Sequence, residues 1–360
     1  MFSATHSQAV SAPPPEILDP TLIPQHHYSN HHLPPSLQFE AWREMARPVM
    51  ELAVPEGTKG EFAADIRAWD LGRIAFTRST TPACGIYRNE RSIRGSSLDH
   101  WCFVAVKSGT IETTGKGVTS VSGPGSLLVK SLHTPLDGVM ESTTSLCVFV
   151  PRDFCRERVA AIDAVEGKVL SSGLGRLLAS YLISLDRQLR WLSSDDLPGV
   201  LAATQSMIDA CIAPTADRIA AALTPINATL LERARETVQN NLMSPTLGVD
   251  SICRELGISR SRLYRLFEDL GGVVHYIRSR RLLDAHRALS GGIDNRPIVE
   301  IAAERDFLDP ADFSRAFKRE FGYSPREARL QKRPPSPHLP EATLSSERGG
   351  SLGDLLLRLG

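Results

Sequence analysis

The last third of the chain repeats itself, and this repeat restricts its fold more than any other feature. Val249, Ile252, Cys253 and Leu256 mark one apolar helix face, Gly257-Ile258-Ser259 interrupts it, and Leu263, Leu266 and Phe267 mark a second face. The pattern returns with Ile298, Ile301, Ala302 and Arg305, then Phe307 after a break, then Phe313, Ala316 and Phe317. Ile252 and Ile301, like Ile258 and Phe307, lie 49 residues apart; Leu263 and Phe313, Arg265 and Arg315, and Phe267 and Phe317 lie 50 apart. The second turn therefore carries one added residue. Ser259 is a good cap for one second helix, and Asp309 followed by Pro310 starts the other. Helix, tight turn and capped helix is the helix-turn-helix plan, in which the second helix enters the DNA major groove. The amphipathic stretch Val273 to Leu289 joins the copies.

Charge must be read by region, because 41 Lys and Arg balance 41 Asp and Glu over the whole chain. Between Leu247 and Arg333, 17 basic residues face 13 acidic ones, a local balance of +4. Base reading is expected from Ser261, Arg262, Tyr264 and Arg265 on the first recognition helix, since Arg pairs bidentately with guanine. The aligned positions on the second are Ala311, Asp312, Ser314 and Arg315. Asp312 is expected to serve the helix N-terminus or a cytosine amino group, leaving Arg315 as the main polar contact of a mostly anchoring helix. Arg260, Arg278, Lys318 and Arg319 are the expected phosphate contacts, with Arg280 and Arg281 adding charge to the connector. Residues from about 228 to 333 are expected to fold and bind DNA alone.

The remaining chain is organised around this repeat. Its 360 residues, 42% of them hydrophobic and 23% charged, suit two or three domains and exclude a collagen or a wholly disordered protein. Residues 1–38 are rich in Pro, Ser and His and read as a disordered arm, with His26, His27, His31 and His32 solvated. From Phe62 to Val150, short β-branched runs punctuated by Gly and Pro read as an antiparallel sandwich or barrel. The runs are Gly72 to Thr77, Trp101 to Lys107, Thr110 to Thr114, Ser126 to Lys130 and Leu146 to Val150. Leu174, Leu178, Leu182, Leu185 and Leu189 then mark a helical linker over 152–225, with a second amphipathic stretch from Val200 to Cys211. Such a linker suits a dimer seam or intramolecular packing. Residues 331–360 read as a disordered tail, apart from a short turn at Leu355 to Leu359.

The stretches LGVDSICRELGISRSRLYRLFEDLGGVVHYIRSRRLLDAHRALSGG and PIVEIAAERDFLDPADFSRAFKREFGYSPREAR together resemble the AraC/XylS family of bacterial transcription regulators. The specific part runs through Ile301, Ala302, Phe307, Phe313, Ser314, Arg315, Phe317, Phe321, Gly322, Ser324 and Pro325; Asp306 stands at the family's usual turn glycine and Ala328 at its usual Tyr. The N-terminal half resembles the AraC-binding-like sensor domain at Phe39, Trp42, Leu71-Gly72, Tyr87-Arg88, Ser108-Gly109, Gly123-Pro124-Gly125 and Val150-Pro151-Arg152. The resemblance implies an α+β chain: a cupin-like sensor at 39–151, a linker that often dimerises, and a DNA-binding domain at 228–330 carrying both helix-turn-helix units. It also implies an activator in the cytoplasm, a homodimer that binds promoter or operator DNA, a small-molecule effector, and contact with RNA polymerase. Arg88, Trp101 and His133 are the candidate effector-lining residues.

Other chemistry finds little purchase. Gly109 to Lys116 fails as a phosphate loop because Thr110 and Gly117 stand where Gly and Ser/Thr are needed; Gly115-Lys116-Gly117 reads as a hairpin turn. The β-rich body offers only His100 and His133 and no His-x-His pair, so neither a metal nor any other cofactor is expected. Six cysteines without a Cys-x-x-Cys pair suit a reducing compartment, and no window is apolar enough to cross a membrane. The alternative is an enzyme or redox sensor, for example one using Cys84, that employs the repeat only to reach DNA.

Overall fold

The computed structural model describes residues 22–54, 60–94, 98–152, 154, 158–290, 294–330, 352, 355 and 356. Strand β1 (Gln25–Ser29) precedes helix α1 (Pro35–Ala46), then β2 (Glu51–Ala53), β3 (Asp65–Asp70), β4 (Ala75–Thr81), β5 (Cys84–Arg88) and α2 (Glu90–Arg94). Next come β6 (His100–Ser108), β7 (Ile111–Gly115), β8 (Val118–Ser122), β9 (Leu127–Ser131), β10 (Leu136–Met140) and β11 (Thr143–Pro151). The strands form two antiparallel sheets, in the orders β1-β3-β4-β11-β6-β9 and β2-β5-β10-β7-β8. This is the expected β-rich N-terminal domain. Turn chemistry explains its hairpins: Lys116 (φ 49°) and Gly117 (φ 75°) form the two-residue loop between β7 and β8, with the paired positive φ that matches strand twist. At Gly109 (φ 77°) a Cβ would come within 2.2 Å of the Ser142 carbonyl, so only glycine fits.

Two expectations about this domain are corrected. The strand placed at Gly72 to Thr77 starts later, at Ala75, because Gly72 (φ 87°) is in the preceding turn, its N–H donating to Asp70 Oδ1 at 2.8 Å. The arm at 1–38 contains β1, which pairs with β3 from Gln25↔Trp69 to Ser29↔Asp65. Its few apolar residues hide an edge strand that is held by backbone bonding rather than by an apolar stripe. His27 Nε2 pairs with the Asp65 carboxylate. Asn30 is fully buried, donating to the Gln38 and Phe62 carbonyls at 2.8 Å each and accepting from Ala64 N–H at 2.7 Å. In the tail, Leu352, Leu355 and Leu356 are buried against the sandwich core, because three apolar side chains gain more there than in water.

The six-stranded sheet is apolar on both faces. Cys102, Val104, Leu128, Cys147 and Phe149 point between the sheets, while Trp101, Phe103, Leu127, Val129 and Val148 point out toward helices. Those helices are α3 (Val159–Asp163), α4 (Gly173–Gln188), α5 (Leu197–Ile212), α6 (Ala216–Ala221) and α7 (Leu223–Asn240). Ser172 caps α4 by accepting from Gly175 N–H at 3.1 Å, and Leu178, Leu182 and Leu185 of α4 are buried within this chain. The same apolar cluster continues through Ile226, Leu230 and Val238 of α7 into α8 (Val249–Leu256), α9 (Arg260–Leu266) and the start of α10 (Val273–Ser290). A separate cluster, built on Leu282, Phe307, Phe313 and Phe317, holds α11 (Ile298–Ala303), α12 (Pro310–Phe321) and α13 (Pro325–Leu330) against the end of α10.

Candidate nucleic-acid interface and sensor cavity

Helices α8 and α9 form the first helix-turn-helix. Gly257 closes α8 at φ 67°, the left-handed C-terminal position that glycine occupies without a Cβ penalty. Ser259 then caps α9 by accepting from Arg262 N–H at 3.3 Å. Leu263 and Phe267 are buried, which leaves Ser261, Tyr264 and Arg265 exposed on the opposite side. Arg262 is half-buried, its Nη2 donating to Asn227 Oδ1 of α7 at 3.1 Å. With Arg265, it borders a cleft against Leu223, Asn227 and Ala228. Arg260 makes a bidentate pair with Asp250 at 2.7 and 2.8 Å, which ties α9 back to α8.

Helices α11 and α12 form the second unit. Asp306 occupies its turn at φ 63°, and its carboxylate accepts from Arg281 Nη1 at 2.6 Å. Arg281 is buried in α10 and also donates to the Leu242 and Ser244 carbonyls at 3.1 and 3.0 Å. The residue at the usual glycine position is thus held left-handed by an ion pair that also clamps the loop after α7. Asp309 caps α12 through Ala311 N–H at 2.8 Å, with Pro310 at the first helical position. Phe313, Ala316 and Phe317 are buried, while Ala311, Ser314, Arg315, Lys318 and Arg319 are exposed. Ser314 Oγ is turned back onto the Pro310 carbonyl at 2.9 Å.

One ion pair joins two of the residues expected at the DNA. Arg278 Nη2 donates to Asp312 Oδ2 at 2.7 Å, and its guanidinium lies 5.5 Å from the centre of the Phe307 ring. In the free protein Arg278 therefore braces α10 against α12, and Asp312 is its partner. Arg280 donates to Gln239 of α7 at 2.8 Å.

Of the three expected effector-lining residues, Arg88 shares the inner face of its strand with Cys84 and Ile86, but none of the three lines the cavity between the sheets. Arg88 is buried and ties three carbonyls together: Leu132 at 2.6 Å, Pro48 at 3.2 Å and Val49 at 2.8 Å. Trp101 points to the helical side, donating from Nε1 to Asp163 at 3.1 Å beneath Arg152. His133 is exposed in a turn. The cavity lies elsewhere. About 120 Å³ opens between the sheets and α1, walled by Trp42, Met45, Ile66, Val104, Ile111, Phe149 and the tail residue Leu352, with Lys130 and the Cys102 and Cys147 thiols at one side. Desolvation lowers the Lys130 pKa to about 8.

Burial pushes Cys84 and Cys211 up to about 12 and raises Cys147 well above the usual thiol value. Among the described residues no group of His, Cys, Asp and Glu is arranged to hold a metal, and no helix is long and apolar enough to cross a membrane.

Comparison with known proteins places both halves. Residues 252–331 match the helix-turn-helix domain family and residues 42–213 the AraC-binding-like domain. The chain is similar to the AraC-like transcriptional activator CuxR, at 33% identity and a TM-score of 0.50 over 73% of this chain and 95% of that one. It is 34% identical over 92 residues to the probable transcription factor PqrA of Proteus vulgaris, covering 25% of this chain and 74% of that protein. It is also 37% identical over 81 residues to the right origin-binding protein of Escherichia coli K12, covering 22% of this chain but only 27% of that protein. With a paired helix-turn-helix carried behind a β-sandwich, and similarity to CuxR along almost all of that chain, this protein belongs to the AraC family of DNA-binding transcription regulators.

Proposed function

We propose that the chain activates transcription at specific promoters, reading double-stranded operator DNA through α9 and α12 under the control of a small effector held in the sandwich. The observation that carries this reading is the pair of capped helices on one connector, each exposing arginine outside a closed apolar core. Within it, α9 supplies base contacts through Ser261, Tyr264 and Arg265, and through Arg262 once it is released from Asn227. Arg315 is the chief polar contact of α12, with Lys318 and Arg319 on phosphate. A cytoplasmic homodimer contacting RNA polymerase completes the reading, supported by the similarity to an AraC-like activator.

Footprinting on the promoters beside the chain's own gene, with and without candidate effectors, tests it. Protection of a defined site at moderate salt and a rise in transcript are expected; equal binding to all DNA overturns it, because phosphate contacts alone carry no sequence information. A Cys-based enzyme or sensor is disfavoured by the raised pKa values of Cys84, Cys147 and Cys211, which leave little thiolate near neutral pH.

A further inference from the structure

Beyond α13 the chain returns to the sandwich, a contact that DNA binding leaves unexplained. Leu352, Leu355 and Leu356 are buried, although the sandwich closes a chain that began more than 300 residues earlier. All three have helical backbone, and their spacing of three and four residues puts them on one helix face. Short helices are marginal in water without tertiary packing, and here the packing is supplied by the sandwich cluster. The 21 residues from 331 to 351 can span at most about 75 Å, enough to reach the sandwich from the end of α13.

The receiving surface has the character of a helix groove. Leu352 shares the cavity wall with Trp42 and Ala46 of α1 and with Val49 just after it. Met45, Met50 and Met140 line the same space, half of the six methionines in the chain. Methionine is unbranched and polarizable, so a surface rich in it adapts to an apolar helix that seats and leaves. Laying the leucine face of a helix into such a groove is a recurring mode of peptide recognition. Among the described residues, no hydrogen bond or ion pair joins these three leucines to the sandwich, and apolar contact holds them.

We propose that the sandwich face beside α1 is a helix-docking groove whose occupant is the chain's own C-terminal segment, seated reversibly through Leu352, Leu355 and Leu356. Release of the segment removes Leu352 from the cavity wall and admits solvent there. Docking is a covalent link from α13 back to the sandwich, separate from the packed contacts of α4 and α7. A tether of this length gives an effective concentration of about 1 mM, so a groove that binds the free segment with a Kd of about 10 to 100 µM is filled about 90 to 99% of the time. The seat is thus occupied yet open to exchange, whatever the cavity itself holds.

The test uses the full chain and a labelled peptide of residues 346–360, read by fluorescence anisotropy. Leu355→Asp with Leu356→Asp in the full chain empties the groove, and the peptide is expected to bind that variant with a Kd of about 10 to 100 µM. The parent should bind it about 10- to 100-fold more weakly, because its own segment competes. A peptide carrying the same two substitutions should not bind, and Met50→Lys added to the emptied chain should abolish binding. Anilinonaphthalene sulfonate fluorescence should rise at least about 3-fold in the emptied chain and fall back when the peptide is added. Where the double variant loses its circular dichroism, Leu355→Ala alone takes its place, with a peptide affinity expected above the parent's. Equal affinity for parent and emptied chain overturns the assignment, as does binding to neither. A parent affinity that rises on dilution of the chain overturns the seat within one chain and puts the segment on a second copy.

Discussion

Arg281 of α10 donates to the carboxylate of Asp306 at 2.6 Å, and Asp306 is held at φ 63° in the turn of the second helix-turn-helix. Aspartate is a poor substitute for glycine at such a backbone angle, so its presence is intelligible only through its partner. Arg281 is enclosed and Asp306 is partly open to water, with side-chain exposures of 9% and 37%.

Substitution at Asp306 should separate backbone strain from charge pairing. Asp306→Gly relieves the strain but strands Arg281 with carbonyl partners only; the expected loss is about 1 to 2 kcal/mol, reduced from the fully buried case by solvent at Asp306. Asp306→Ala should be worse by about 1 kcal/mol, because it loses the pair and keeps the strain. Urea unfolding of the full chain measures both. A glycine variant as stable as the parent would show that the ion pair contributes nothing.

Arg278 and Lys318 should differ in salt dependence. Lys318→Ala is expected to weaken binding to all DNA and to lower the slope of log affinity against log salt by about 1. Arg278→Ala should cost about 1 kcal/mol or less of stability, since the Asp312 pair is 40% and 46% exposed, and should leave the slope unaltered. A reduced slope for Arg278→Ala would mean that it leaves Asp312 for phosphate on binding.

On α9, Arg262→Ala or Arg265→Ala should each cost about 1 to 3 kcal/mol at the operator and relax preference at one or two bases. Asn227→Ala removes the acceptor that holds Arg262 in the free protein and should tighten operator binding by a factor of about 2 to 10, the modest worth of a guanidinium–amide bond open to solvent. Measurements against single-base operator mutants check the set. Larger changes in base preference from Ala311 or Ser314 variants would reverse the roles given to the two helices.

Both helix-turn-helix units were legible because each is solvated on one side, so that Leu263, Phe267, Phe313 and Phe317 recur at helical spacing against polar neighbours. The cavity between the sheets was not. In β6 both faces are buried, and Trp101 and Cys102 therefore look alike in the sequence although they point to opposite sides of the sheet. Lys130 at the end of an apolar run reads as the solvent-facing edge of a strand, whereas the pleat aims it inward with Leu128. The restraint of Arg262 by Asn227 was equally hidden, since 35 residues separate them and neither breaks the periodicity of its own helix.

A fragment covering residues 228–333 is expected to fold less stably than the same region in the full chain. Cutting at 228 discards Ile226 and Ala222 and uncovers the face of α7 that rests on α4. A fragment beginning at 294 contains the second cluster without the Leu282 and Ala285 cover from α10 and should not fold. Circular dichroism melts of the first fragment and the full chain compare them. A fragment melting at or above the full chain would show that the sandwich adds nothing to α7.

The unbroken apolar cluster from the outer face of the β-sheet to Phe267 sets different terms of inheritance for the two DNA-reading units. A methyl group gained or lost on α4 must be tolerated by the β-sheet and by α7, whose buried side chains in turn support α8 and α9, so the packed side of α9 is tied to the sandwich. The unit around Phe313 and Phe317 has its own interior and meets the remainder through α10, including the Arg278 and Arg281 bridges. The second unit can thus be exchanged between related chains almost as a cassette, whereas the packed side of the first must change together with the sandwich.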